Sequence, residues 1–295
     1  MKRLSKVANK SRKPFPMTIT WDELPGWMKD NEYIRTELRS LSACLFSVLG
    51  YFHNETVNIH SHLWGAALFV FLGIGTYPYF LATHASVTWK DVASILIFLC
   101  AAVFCLLSSA VFHCVSCHSR QVAKRCNALD YTGIISLIVG SFFPSLHFGF
   151  FCEPKLHRLY LAGICSAGFL AAFIVLNPSY STPKYRWART VVFLTLGSGG
   201  IVPVAHGLFT AGFRRLAEEM GLVWVLVSAF FYISGAIMYA SRFPERLSPG
   251  TFDLFGASHQ IFHVHILLAV LAHYVSILTA VKHRHGLHEG VCFDR

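Results

Sequence analysis

Charge is scarce in this chain. Asp, Glu, Lys and Arg together supply 14% of its 295 residues, and only 15 residues are acidic. An ordinary soluble domain carries charge on about a quarter of its residues, so the soluble globular classes are excluded. An internal repeat, a linker long enough to set off a second domain and a second paired-cysteine motif are also missing. The basic start MKRLSKVANKSRK is not followed within signal-peptide distance by an apolar core, so no cleaved leader is expected. The nine cysteines are odd in number and scattered through apolar runs and loops, which implies no disulfide framework.

Apolar length, by contrast, is abundant. Hydrophobic residues reach 54% and aromatic ones 15%, and about 20 helical residues cross a hydrocarbon core about 30 Å thick. Seven stretches of that size occur, at 59–82, 92–115, 129–151, 159–176, 191–213, 220–240 and 259–281. The predicted fold class is an all-α integral membrane protein, a seven-transmembrane-helix bundle over 58–282. A basic arm over 1–57, containing a short interfacial helix within 20–47, precedes it, and a short outer tail over 283–295 follows. Pro144 in the third stretch and LGSGGIVP in the fifth predict kinks rather than helix ends.

Orientation follows from the basic residues of the connections. The N-terminal arm and the second, fourth and sixth loops carry 17 Lys and Arg, and the other side carries 8. The positive-inside bias therefore predicts a cytosolic N-terminus and an extracellular or lumenal C-terminus. The net charge of +10 lies mostly on the inner side, where it suits anionic lipid headgroups and gives no support to nucleic-acid binding.

Ionisable residues at membrane depth are costly and usually face a bundle interior or a cavity. The segment SHQIFHVH puts His259 and His263 four apart at the inner mouth of the seventh stretch. With 16 histidines in the chain, about one such pair is expected by chance, so spacing alone decides nothing. Their level decides more. The second stretch ends at the same side with Ser109 and His113 on one helix face, and the third begins there with NALDYTG, which contains Asp130. Three imidazoles leave one position of a tetrahedral zinc open, the arrangement of a catalytic site. Asp130 is then a candidate base and Ser109 a candidate orienting or charge-stabilising group. Plainer alternatives stay open: a carboxylate at a helix start for Asp130 and a hydroxyl bonded to its own helix for Ser109.

Other motifs compete. Cys114-x-x-Cys117-His118 matches a c-type haem attachment pattern, but the charge count puts it on the cytosolic side. The same three residues would form only a partial Cys/His zinc clip. His283, His285 and His288 in the tail offer loose surface ligands, and Asn54-Glu55-Thr56 is formally a glycosylation acceptor. Hydrogen bonds to loop groups are expected for His60 and His62, and plain bundle packing for His206, His265 and His273.

Several segments together resemble a known family: WDELPGWMKDNEYIRTELRS, HNETVNIHSHLWGA, SSAVFHCVSCHS, LDYTGIISLIVGSFFP and ERLSPGTFDLFGASHQIFHV. In order and spacing they are similar to the progestin and adipoQ receptor family, which includes adiponectin receptors, haemolysin III-related proteins and a fungal zinc-homeostasis branch. The wording is most like that fungal branch. The resemblance implies zinc bound by His113, His259 and His263, with Ser109 and Asp130 beside it. It also implies a zinc-dependent hydrolase acting on a lipid amide, in which zinc hydroxide attacks ceramide to give sphingosine and free fatty acid. Pro144, Gly199, Gly200 and Pro203 would loosen the helices around an acyl cavity. Membrane lipids are the implied partners, along with an external signalling ligand, in the plasma membrane or an endomembrane. Alternatives are a seven-helix receptor with a structural zinc site and a zinc or ion transporter.

Overall fold

The computed structural model describes residues 52–180 and 182–292, together with Thr18–Thr20, Asp22, Gly26, Lys29, Asn31, Thr36–Leu38, Val48 and Gly50. Among the described residues, seven spans are long and apolar enough to cross a membrane, as expected. The first is helix α1 (Thr56–Tyr79) with a short 3-10 turn, and the second and third are α2 (Trp89–Val115) and α3 (Arg120–Gly149). The fourth is α4 (Pro154–Val175). The fifth comprises α5 (Arg186–Ser198) and α6 (Ile201–Ala211), and a short α7 (Phe213–Glu219) follows. The sixth is α8 (Leu222–Ser241), and the seventh is α9 (Ser258–Val281) continued by a π turn at Lys282–Leu287.

The spans are unequally covered by one another. Half of the apolar window of α2 is buried, 44% of the seventh and 39% of the third, against 11% for the fifth. Helices α2, α3 and α9 therefore form the hub, where Phe98, Leu106, Leu137, Val270 and Ile277 are buried with Phe69 of α1. The fifth and sixth spans leave Phe209, Phe230 and Ile237 exposed, as a lipid-facing surface requires.

Small residues set the closest approach within the hub. A Cβ on Gly133 of α3 would lie 2.9 Å from the Cα of Cys105 and 2.5 Å from Ser108 Oγ on α2; on Gly140, two turns along, it would lie 2.7 Å from Ala101 Cβ. Absent side chains let the two backbones meet, a common means of joining helices in lipid, where hydrophobic force between them is lacking. The close approach holds Ser109 and Asp130 at one level.

Some expectations change. The third span begins at Arg120 instead of 129, because the Ser119 side chain accepts the Val122 N–H and caps the polar turns that precede the apolar run. Pro144 lies inside an unbroken α3, whereas the fifth span is interrupted at Gly199 and Gly200, both in helical conformation. Within the region expected to hold an interfacial helix, Thr36–Leu38 instead pairs as an antiparallel strand with Thr18–Thr20; the rest of 20–47 lies almost wholly outside the described residues. The expectation that no cysteines pair is also overturned, since Cys152 after α3 is disulfide-bonded to Cys292 in the tail. Cys117 is disulfide-bonded as well, while Cys114 is free. A haem-attachment pair and a Cys/His clip both need the Cys117 thiol, so neither fits.

Substituting Gly133 by Val is expected to lower the thermal midpoint of the protein in lipid nanodiscs. Overpacking against backbone atoms costs about 1–3 kcal/mol. Gly163, where a Cβ meets nothing within 4 Å, is the control, and Gly163→Ala should leave the midpoint unchanged or slightly raised. Scanning fluorimetry of both variants checks the difference.

Candidate metal centre

Each hub helix contributes a side chain at the end of the bundle nearest the N-terminal arm. His113 stands in the last turn of α2 and is buried at 4% exposure; His263, in the second turn of α9, is buried at 1%. His259, half-buried, lies one turn before His263. The donor nitrogens of the three rings lie within 4.8 Å of one another, close enough to hold a metal ion. Ring centroids stand 4.8 Å apart for His113 and His259, 4.8 Å for His113 and His263, and 4.9 Å for His259 and His263. The predicted trio is therefore brought together.

Asp130 and Ser109 are both buried. They stand on α3 and α2, the two helices that meet at the Gly133 contact, with Ser109 one turn before His113. The plainer account of Asp130 as a helix-start carboxylate does not hold, because α3 begins at Arg120 and Asp130 is well inside it. Ser109 also differs from its neighbour Ser108, which bonds back to the Cys105 carbonyl of its own helix at 3.1 Å.

The start of α9 is held by groups remote in sequence. Glu245, with no exposed surface, accepts the Ser258 N–H at 2.8 Å and the Ser258 hydroxyl, and Asn31 Nδ2 donates to it at 3.1 Å. Gln260 Nε2 donates to the carbonyls of Asn54 and Leu254 at 3.0 and 2.9 Å. These bonds fix both the depth and the rotation of the turn carrying His259 and His263.

Helix α1 supplies groups that reasoning from sequence passed over. Glu55, its N-cap residue, accepts from His113 Nδ1 at 2.6 Å. Asn58 Nδ2 donates to the same Glu55 oxygen at 2.7 Å, and the Asn58 carbonyl accepts from His263 Nδ1 at 3.1 Å. Burial would raise the Glu55 carboxyl, but the His113 ring beside it and the bonds from His113 and Asn58 bring it down to about 2. His60, expected to bond a loop group, bonds the carbonyl of Val48, a residue in helical and not loop conformation. His62 does not follow that expectation either: it lies flat on His263, with ring centroids 3.7 Å apart and planes 12° apart. A signal for this set was present, since residues 55, 58 and 62 fall at i, i+3 and i+7 on one face of an otherwise apolar helix.

The three histidines assigned to bundle packing sit as expected, whereas His285 of the tail, expected as a loose surface ligand, is buried. His265 bonds the Ile261 carbonyl of its own helix, off the face that carries the pair, and His273 bonds the Ser141 carbonyl. His206 is bonded by the Tyr160 hydroxyl.

A seven-helix membrane protein with three imidazoles gathered at one end of its bundle, able to hold a metal ion, is the class that fold and site define. The chain belongs to the haemolysin-III-related family, whose model matches residues 50–274, and thus to the progestin and adipoQ receptors. It is 40% identical to heptahelical transmembrane protein 1 of Arabidopsis thaliana over 88% of this chain and 80% of that one. It is 35% identical to the ADIPOR-like receptor IZH2 of Saccharomyces cerevisiae over 92% and 87% of the two chains. Identity to the adiponectin receptor protein of Drosophila melanogaster is 36%, over 90% of this chain and 60% of that relative.

Replacing His113, His259 or His263 by Ala is expected to remove most of the metal that copurifies with the protein, measured per mole by plasma mass spectrometry. His265→Ala should retain it. Equal metal in all four variants would show that the three rings are not the ligands.

Proposed function

We propose that the protein is a zinc-dependent intramembrane hydrolase of a lipid amide, with ceramide as its substrate and sphingosine and a free fatty acid as products. The observation that carries this reading is the buried trio of imidazoles with a carboxyl and a hydroxyl beside it. Imidazole donors suit Zn²⁺, and three of them leave a position for water or substrate. Bound there, zinc would polarise a carbonyl and lower the pKa of a coordinated water to about 7.

The chain's own residues do the rest. Asp130 accepts the proton of the attacking water and passes it to the departing amine. Ser109 has one O–H to give, which either orients the Asp130 carboxyl or is donated to a developing oxyanion. The level of the centre supports a lipid substrate, whose amide lies close to the headgroup while its chains lie along the exposed apolar face of the fifth and sixth spans. With the N-terminal face cytosolic, as the 17 basic residues on that side favour, the centre lies near the inner leaflet.

A receptor role is the second reading, favoured by the names of the relatives in yeast and Drosophila. An external ligand would then bias the bundle and, through it, the output of the same centre.

Asp130→Asn is expected to lower ceramide hydrolysis in nanodiscs by at least about 100-fold, the usual contribution of a positioned general base, while metal content stays at the parent level. Mass-spectrometric counting of released sphingosine measures it. A parent protein that holds zinc and releases no sphingosine would overturn the hydrolase reading in favour of the receptor.

A further inference from the structure

Resting on the metal-centre reading, we propose that Glu55 is a positioning residue for the metal site. Its carboxylate holds the His113 proton on Nδ1 and supplies one of the two negative charges that balance a divalent cation among neutral rings.

The first part follows from hydrogen-bond chemistry. A carboxylate accepts and does not donate, so the 2.6 Å contact with His113 puts the proton on Nδ1 and directs the Nε2 lone pair toward the other two rings. The Asn58 carbonyl, which also only accepts, does the same for His263 at 3.1 Å. A metal-bound histidine commonly gives its second ring N–H to such an acceptor, which fixes the tautomer and makes the ligand nitrogen more basic. Both acceptors come from the first turn of α1, and the His62 ring, lying against His263, fixes the plane of that ligand.

The second part follows from charge. Three imidazoles are neutral as ligands, so a divalent ion would leave two positive charges at a buried site. The Glu55 carboxylate, 2.6 Å from His113 Nδ1, offsets one of them, and the buried Asp130 carboxyl on the neighbouring helix offsets the other. An acid at a helix N-cap ordinarily accepts from the first backbone amides, yet the Glu55 side chain makes no such capping bond and is turned instead to His113 and Asn58.

The test uses the full-length protein in nanodiscs, with zinc affinity measured by chelator competition, visible absorption of the cobalt-substituted form, and thermal midpoints of the metal-free form. Glu55→Gln is expected to weaken zinc binding about 10- to 100-fold, the usual effect of losing such an acceptor. The cobalt bands should shift, while the metal-free protein melts with the parent. Glu55→Asp keeps the charge and shortens the reach; it should bind with intermediate affinity, and it serves as the test if the Gln variant does not fold. Unchanged affinity and unchanged cobalt bands in the folded variant would overturn the proposal. So would a lowered metal-free melting point with parental affinity, which would mark Glu55 as a support of the fold alone. A parent that binds neither zinc nor cobalt would instead remove the metal-centre reading itself, and this inference with it.

Discussion

Polar groups that leave water for a bilayer must find partners inside the protein, and this constraint shapes the bundle. A buried unpaired polar group costs several kcal/mol in hydrocarbon. Three rings and two carboxyls on four helices are therefore tolerated only where the helices face each other, and here three of the four form the hub. The close contact at Gly133 brings α2 and α3 together, Glu245 holds the start of α9, and the first turn of α1 covers the gap between α2 and α9. Without those arrangements the same residues would be spread along a membrane surface.

Hydrophobic length made the seven spans legible, because a bilayer sets the length of a helix that crosses it. Basic residues in the loops, independently of any family resemblance, set His113, Asp130 and the His259–His263 pair at one level. Span boundaries were less legible. Arg120 to Leu129 is polar and helical, and hydropathy ignores a helix that continues past the apolar zone. The Cys152–Cys292 bond was illegible for a related reason: it joins a loop to a tail, and no periodicity links those two segments.

The groups behind the three imidazoles were harder to see than the imidazoles. His259 and His263 announce themselves by residue type, but Glu55 reads equally well as a cap or as part of a glycosylation acceptor. Only the three-dimensional path of α1 turns its carboxyl to His113. His62 shows the same limit, since a ring stacked on a ligand and a ring bonded to a loop are indistinguishable from spacing.

The opposite end of the bundle offers a contrast. There, Asp91 is fully buried and accepts from His147 at 2.7 Å and from the backbone and hydroxyl of Thr88 at 2.6 Å each. His285 of the π turn lies 3.4 Å from it and meets Ser86 through its other nitrogen at 2.9 Å. The residue types match those of the metal centre, but the geometry is reversed: the surrounding groups turn toward one carboxylate, and the arrangement closes on itself as a lock between α2, α3 and the tail. At the other end, the acceptors of α1 stand behind the rings of His113 and His263 and bond their outer nitrogens, so the inner nitrogens converge on shared space. Imidazoles and carboxyls arranged around an acceptor hold a structure together, whereas imidazoles backed by acceptors present a set of donors to a cation. The direction in which the rings face separates the two ends, and it makes the N-terminal end the one able to hold a cation.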